Sequence, residues 1–252
     1  MYPVLLKLGP LSVYSYGVMV ALGFALATAC IYMRAPGFGI DRNNVVDLMI
    51  IMLVSGIIGA RALYVLQNPG YYLANPYEIP NLSKGGLVWY GAFIAGLGAS
   101  AVYIKKKRMD FWTAVDLAAP YIALAQAVGR IGCFLNGCCY GIEATPGPLA
   151  SFAQPSVCDT VLRYPAQLYS AASLLLIFAI LRIWQDHRRF KGEIFLGYCM
   201  LYSSKRFLME FVRGDNPRIF FNLTMSQLIS CILLTASLAT FIYMAAAWKK
   251  RR

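Results

Sequence analysis

Five ionisable residues stand within or at the ends of long apolar stretches of this 252-residue chain: Arg61, Arg130, Lys205, Arg206 and Glu210. A charge near the centre of a lipid bilayer costs at least about 2.5–3.5 kcal/mol on insertion scales, so each needs a partner, water or a ligand. Arg206 and Glu210 are four residues apart, share one face of a helix and can pair. Glu210 and Arg213 can do the same at the outer end of that helix. Arg130 lies in the tetrapeptide GRIG, where Gly129 and Gly132 allow close backbone approach and leave the guanidinium room. For Lys205 the expectation is a structural ion pair or a side chain running out to the interface. Arginines converging in the outer half of a bundle suit a phosphate, because guanidinium binds it bidentately and never loses its charge. A lipid phosphate is the anion found at that depth. These residues imply a protein that handles an anionic lipid headgroup, and they name no reaction.

The elements that must position these groups follow from composition. Hydrophobic residues make up 59% of the chain and charged ones 13%, with a mean hydropathy of +0.58. A soluble domain carries about a quarter charged residues, so an ordinary soluble core is excluded. Apolar runs of about 20 residues match a hydrocarbon core roughly 30 Å thick. They lie near 13–33, 45–66, 86–104, 112–134, 165–185, 194–212 and 225–247. The expected fold is all-α: one polytopic membrane domain over 1–252, a bundle of about seven transmembrane helices with ordered extracytoplasmic segments. The first span has no basic stretch before it and no clear small-residue cleavage site after it, so it is expected to be a mature helix.

A net charge of +12 could suggest nucleic acid, but its distribution argues otherwise. Fourteen basic residues fall in alternate loops and the C-terminal tail, and five fall in the other loops and the N-terminal segment. That asymmetry follows the positive-inside rule and predicts an outer N-terminus and a cytoplasmic C-terminus. Two outer segments, 67–85 and 136–164, are rich in Pro, Gly and Tyr, which disfavours continuous helix and suits the membrane interface. Ser55/Gly59, Gly56/Ala60 and Ala92/Gly96 place small residues four apart and let helices approach closely.

Of seven cysteines, Cys30, Cys199 and Cys231 fall in spans and are expected to behave as small hydrophobes. Cys138, Cys139 and Cys158 fall in or near an outer loop, where an oxidising compartment permits a disulfide whose pairing the sequence does not give. No metal site is expected, since the one histidine, His187, lies in a cytoplasmic loop.

Six collinear segments resemble the bacterial phosphatidylglycerol–prolipoprotein diacylglyceryl transferase family, over nearly the whole length. LGPLSVYSYGVMVALGF is similar to its first-helix motif around an essential tyrosine, here Tyr16, and GARALYVL, with Arg61, to its second helix. KGGLVWYGAFIAG is similar to GG-x-x-x-H/Y-GG and puts Tyr90 at the His or Tyr position. AVGRIGCFLNGCCYG is similar to G-R-x-G-N-F-x-N-x-x-x-x-G and carries over Arg130, Asn136 and Gly141. YPAQLYSA resembles HP-S/T-x-LYE, and SSKRFLMEFVRGDN resembles R-x-x-x-EF-x-R.

The resemblance implies transfer of the diacylglyceryl group of phosphatidylglycerol to the lipobox cysteine of a preprolipoprotein. A thioether forms and glycerol-1-phosphate leaves, without metal or organic cofactor, in the bacterial cytoplasmic (inner) membrane. Arg130, Arg206, Glu210 and Tyr90 are the expected catalytic residues. Arg130, Tyr16, Arg61, Asn136 and Gly141 are the expected substrate-binding residues. Arg130 and Arg206 would take the phosphate, with Glu210 orienting Arg206, while Tyr16 and Tyr90 position the headgroup or assist proton transfer. The chain departs from the pattern at Cys133 (usually Asn), Cys138 (commonly acidic), Tyr164 (usually His) and Ser170 (usually Glu). A thiol at 133 loses the hydrogen-bond capacity of an amide. The alternatives are a family paralogue acting on another acceptor or lipid, or a lipid-binding membrane protein without enzyme activity.

Overall fold

The computed structural model describes residues 3–8, 11–81, 85–144, 154–155, 162–213, 218–220 and 223–250. In chain order a hairpin of β1 (Val4–Leu8) and β2 (Leu11–Tyr14) leads into α1 (Ser15–Arg34), and a turn of 3-10 helix precedes α2 (Arg42–Gln67). The short α3 (Pro69–Ala74) and a second 3-10 turn (Pro76–Glu78) precede α4 (Trp89–Lys106) and α5 (Phe111–Asn136). A small antiparallel pair, β3 (Gln154–Pro155) with β4 (Leu162–Arg163), comes before α6 (Ala166–Gln185) and α7 (Glu193–Met209). The pair β5 (Arg218–Phe220) and β6 (Leu223–Thr224) then delivers the chain to α8 (Met225–Lys250).

Among the described residues, five helical stretches are long and apolar enough to cross a membrane: Ser15–Phe38, Arg42–Gln67, Phe111–Asn136, Ala166–Gln185 and Met225–Lys250. The chain is therefore an all-α multi-pass membrane protein with short β-hairpins between its helices. Helices α4 and α7, of 18 and 17 residues, occupy the two remaining apolar runs. Lys105 and Lys106 close α4, and Glu193, Lys205 and Arg206 lie on α7, which lowers the apolar character of both. The chain divides into two compact units, Met1–Ile31 with Val115–Arg252, and Tyr32–Ala114.

In the unit of residues 32–114, α2 and α4 pack through small residues. A Cβ placed on Gly59 would run into the Gly91 backbone and Ala95, and one on Gly91 would run into Gly59. In lipid, where no hydrophobic drive joins helices, such backbone approach is what holds them. Asp41 caps α2 by accepting from the Asn43 N–H at 2.9 Å. Tyr103 of α4 donates to Asp47 of α2 at 2.7 Å.

In the other unit, α1 packs on α5, and α7 on both α6 and α8. Pro120 lies inside α5 and has no N–H to offer the carbonyl four residues earlier, that of Asp116. Gln185, at the end of α6, donates its side-chain amide to that carbonyl at 2.9 Å. The Asp116 carboxylate, fully buried, accepts from the N–H groups of Gly192 and Phe195 at 2.7 and 2.9 Å, which caps the first turn of α7 from a distant part of the chain. Glu193, also buried, accepts from the Trp184 indole at 3.1 Å. These polar groups tie α5, α6 and α7 together at one end.

Candidate functional site

At the other end of α7 the helix carries Lys205 and Arg206, and Glu210 follows it in the C-cap position. Spacings of three and four residues bring Arg206, Met209 and Glu210 onto one stripe, with Lys205 beside it. The Arg206 guanidinium donates to the Glu210 carboxylate at 2.5 Å and to Ser226 Oγ at 2.7 Å. Glu210, 5% exposed, also accepts from Thr224 Oγ1 at 2.7 Å. Thr224 and Gln227 form a reciprocal cap at the start of α8. The Thr224 N–H donates to Gln227 Oε1 at 2.9 Å, and the Gln227 N–H to Thr224 Oγ1 at 3.3 Å. One sequence, TMSQ at 224–227, thus starts α8 and supplies two hydroxyls to the Arg206–Glu210 pair.

A pocket opens beside this pair, lined by Arg130, Cys139, Ala166, Gln167, Ser170, Lys205, Arg206, Met209 and Arg213. Four of these are cations, and Glu210 is neutralised by Arg206. Among the described residues the Arg130 guanidinium makes no hydrogen bond or ion pair, so its donors are available to a ligand. Lys205 is buried and donates to Ser170 Oγ, the residue standing where the family pattern has Glu. It does not run to an interface. Such a pocket is preorganised for a multiply charged anion and strengthens as negative charge grows. Arg206, bound to Glu210 and Ser226, is held in place to present its remaining donors.

The loop after α5 forms a wall of this pocket. Gly141 donates its N–H to the Tyr164 carbonyl at 3.0 Å and bridges to Arg213. A Cβ there would come within 2.7 Å of the Tyr164 oxygen and 3.0 Å of the Val212 oxygen, so the strand crossing requires glycine. Asn136 is half-buried at the end of α5, with its side chain on the Cys138 thiol. The Cys139 thiol is held below the ordinary range, first by hydrogen bonds with Cys133 and Cys138, then by the charges of Arg213 and Arg130. Tyr16, 44% exposed on α1, lies within electrostatic reach of Arg130 and these cysteines.

Arg61 and Tyr90 belong to the unit of residues 32–114. Arg61, 7% exposed, donates from Nε to the Ile79 carbonyl at 2.7 Å and from one terminal nitrogen to Glu78 at 2.7 Å. Its other terminal nitrogen donates to the Gly85 and Gly86 carbonyls at 2.9 and 3.3 Å, and Tyr64 and Tyr72 lie over the group at 5.7 and 5.3 Å. Gly86, at φ +78°, would collide with Arg61 and Tyr64 if it carried a side chain. Tyr90 is 68% exposed, its ring edge-on to Trp89. The pocket therefore unites Arg130 and Arg206, with Glu210 paired to Arg206 and Gly141 bridged to the lining residue Arg213, and adds Lys205, Arg213 and Cys139. The signal for Lys205 was its place beside Arg206 on a short helix. Cys158 and the pairing it was expected to enter lie outside the described residues.

Comparison with known proteins gives these features a family. A profile described as "Prolipoprotein diacylglyceryl transferase" matches residues 3–243. The chain is similar to the phosphatidylglycerol–prolipoprotein diacylglyceryl transferase of Clostridium tetani, 34% identical over 255 residues and the full length of both chains. It is 34% identical to that of Symbiobacterium thermophilum, over 99% of this chain and 93% of the relative. It is 32% identical to that of Listeria monocytogenes serotype 4b, over 96% and 89%. With near-complete coverage at this identity, the chain belongs to the prolipoprotein diacylglyceryl transferase family.

Proposed function

We propose that this protein transfers the diacylglyceryl group of phosphatidylglycerol to a prolipoprotein, and that the acceptor is the thiol of the lipobox cysteine. The observation that carries the site assignment is the pocket lined by Arg130, Lys205, Arg206 and Arg213, with Glu210 paired to Arg206. Arg130 and Arg206 take the lipid phosphate, with Lys205 and Arg213 adding charge. The acceptor sulfur attacks the glyceryl carbon, the carbon–oxygen bond to phosphate breaks, and glycerol-1-phosphate leaves as the thioether forms. The phosphate gains a negative charge as that bond breaks, and preorganised cations lower the barrier at that moment. The thiol proton leaves the sulfur in the same step and ends on solvent or on the departing phosphate. Glu210 positions Arg206. Tyr16 and Asn136 contact the headgroup, with Gly141 shaping the wall; Tyr90 contributes from α4, and Arg61 organises the segment around it.

Seven spans, with α4 and α7 joining the five longer apolar helices, fit the alternating basic loops. The positive-inside bias supports an outer N-terminus and a cytoplasmic C-terminus, and membership of a bacterial enzyme family supports a place in the inner membrane. The test is complementation of a strain depleted of its own diacylglyceryl transferase. The wild-type protein is expected to restore lipoprotein modification, and Arg130→Ala and Arg206→Ala, inserted at normal levels, are expected to fail. Failure of the inserted wild type would favour a family member with a different acceptor. The thiols at 133 and 138 are the residues that motivate that second reading.

A further inference from the structure

The end of α5 holds a second arrangement, which the chemistry of phosphate release does not use. Cys133 in the last turn of the helix and Cys138 and Cys139 in the turn that follows bring their Sγ atoms within 4.8 Å of one another. All three are free thiols, Cys133 buried and the other two half-buried. The turn is constructed to converge them. Gly137 donates to the Phe134 carbonyl at 3.2 Å and Cys138 to the Cys133 carbonyl at 3.1 Å, folding the chain back over the helix end. Gln167 of α6 fixes the turn from outside by donating to the Cys138 carbonyl at 2.7 Å. Gly137 and Cys139 take left-handed φ values of 76° and 60°. A non-glycine residue holds that conformation only where its surroundings over-determine it.

We propose that Cys133, Cys138 and Cys139 form a three-thiolate site for a thiophilic d10 cation, Zn²⁺ or Cu⁺. Sequence alone predicted no metal site because histidines are scarce, but soft thiolates select these ions without histidine. A Zn–S bond of about 2.3 Å puts the sulfurs of a tetrahedral site about 3.8 Å apart. From a spread of at most 4.8 Å, closing on an ion asks for about 1 Å or less, within reach of side-chain rotation. Three thiolates around a divalent ion leave one net negative charge. Arg130 and Arg213, which share the pocket wall with Cys139, offset it. A disulfide would use two of the sulfurs and strand the third, whereas one ion satisfies all three. Three protein ligands also leave the fourth position of a tetrahedral ion open, as in sites that take water or a substrate.

The test uses the full chain, purified in detergent, reduced, and stripped of metal by a chelator that is then removed. Zn²⁺ and, separately, Cu⁺ are titrated against a chromophoric competitor, with intact mass measured on the loaded protein. The expected result is one ion per chain for at least one of the two. Cys133→Ser, Cys138→Ser and Cys139→Ser should each weaken binding by more than about 100-fold, since loss of an outer-shell partner alone costs 10–100-fold. Cys30→Ser and Cys231→Ser should leave it unchanged. No stoichiometric uptake of either ion by the wild-type protein overturns the proposal, and that arm needs no variant to fold. So does uptake that Cys139→Ser leaves undiminished, or a pairwise disulfide among the three that persists through reduction.

Discussion

Arg61 and Arg130 are both arginines in a membrane helix, and their surroundings are opposite. Arg61 has its guanidinium filled by the carbonyls of Glu78, Ile79, Gly85 and Gly86 and covered by two tyrosine rings. Arg130, among the described residues, makes no hydrogen bond at all and faces a pocket with three other cations. A buried cation with four hydrogen bonds to backbone carbonyls holds a segment in place. A cation left with open donors beside others of like sign is satisfied by water or by an anion, and an anion also relieves the like-charge repulsion. The difference separates two readings of an intramembrane arginine that the one-letter sequence cannot distinguish.

The largest effect is expected from Arg130→Ala. Diacylglyceryl transfer in detergent should fall about 10²–10³-fold, the cost of removing one group that stabilises developing charge. Its thermal melting should stay close to wild type, because no internal bond is lost. Arg61→Ala should reverse that pattern. Removing the charged donor from four carbonyls on half-buried and exposed residues costs about 1–2 kcal/mol, to be read as a lower melting temperature and faster proteolytic cutting within residues 67–81. Transfer per folded molecule should fall far less than in Arg130→Ala; equal losses would erase the distinction. Thr224→Ala removes the α8 cap and one acceptor-side contact of Glu210, and should destabilise by about 1 kcal/mol. The smallest effect concerns pH. In metal-free protein the depressed Cys139 thiol remains thiolate below the ordinary thiol pKa of about 8.5, so its alkylation rate should hold as pH falls to 7 or so. Arg213→Ala should move the loss of reactivity to higher pH. An alkylation profile that follows an ordinary thiol would remove the electrostatic reading of that wall.

Much of this was legible in the chain. Each expected apolar run holds a helix, and the spacing of Arg206 and Glu210 announced their pair, because helical neighbours are a local property. The GRIG arginine stood out through its glycines and reached the pocket. Lys205 was read as structural, since nothing local says that Ser170, on another helix, is its partner. The carbonyl clamp on Arg61 depends on a segment with no periodicity to read. Asp116 went unremarked because its partners lie more than 70 residues away. The three cysteines were close in sequence, yet their convergence depends on left-handed turns at Gly137 and Cys139, which composition does not specify.

The cap that Asp116 places on α7 reaches further than helix stability. Its carboxylate fixes the first turn, at Gly192 and Phe195, while Arg206 stands thirteen residues beyond Glu193. At 1.5 Å per residue that is about 20 Å of rigid rod. The height of the arginine is thereby measured from the far end of its own helix and is independent of the lipid around it. The molecule carries its own ruler. Under the proposed phosphate role of Arg206, a membrane whose thickness changes with temperature or acyl-chain length moves past a binding level set by this rod, so lipids of differing chain length rise or sink to meet it.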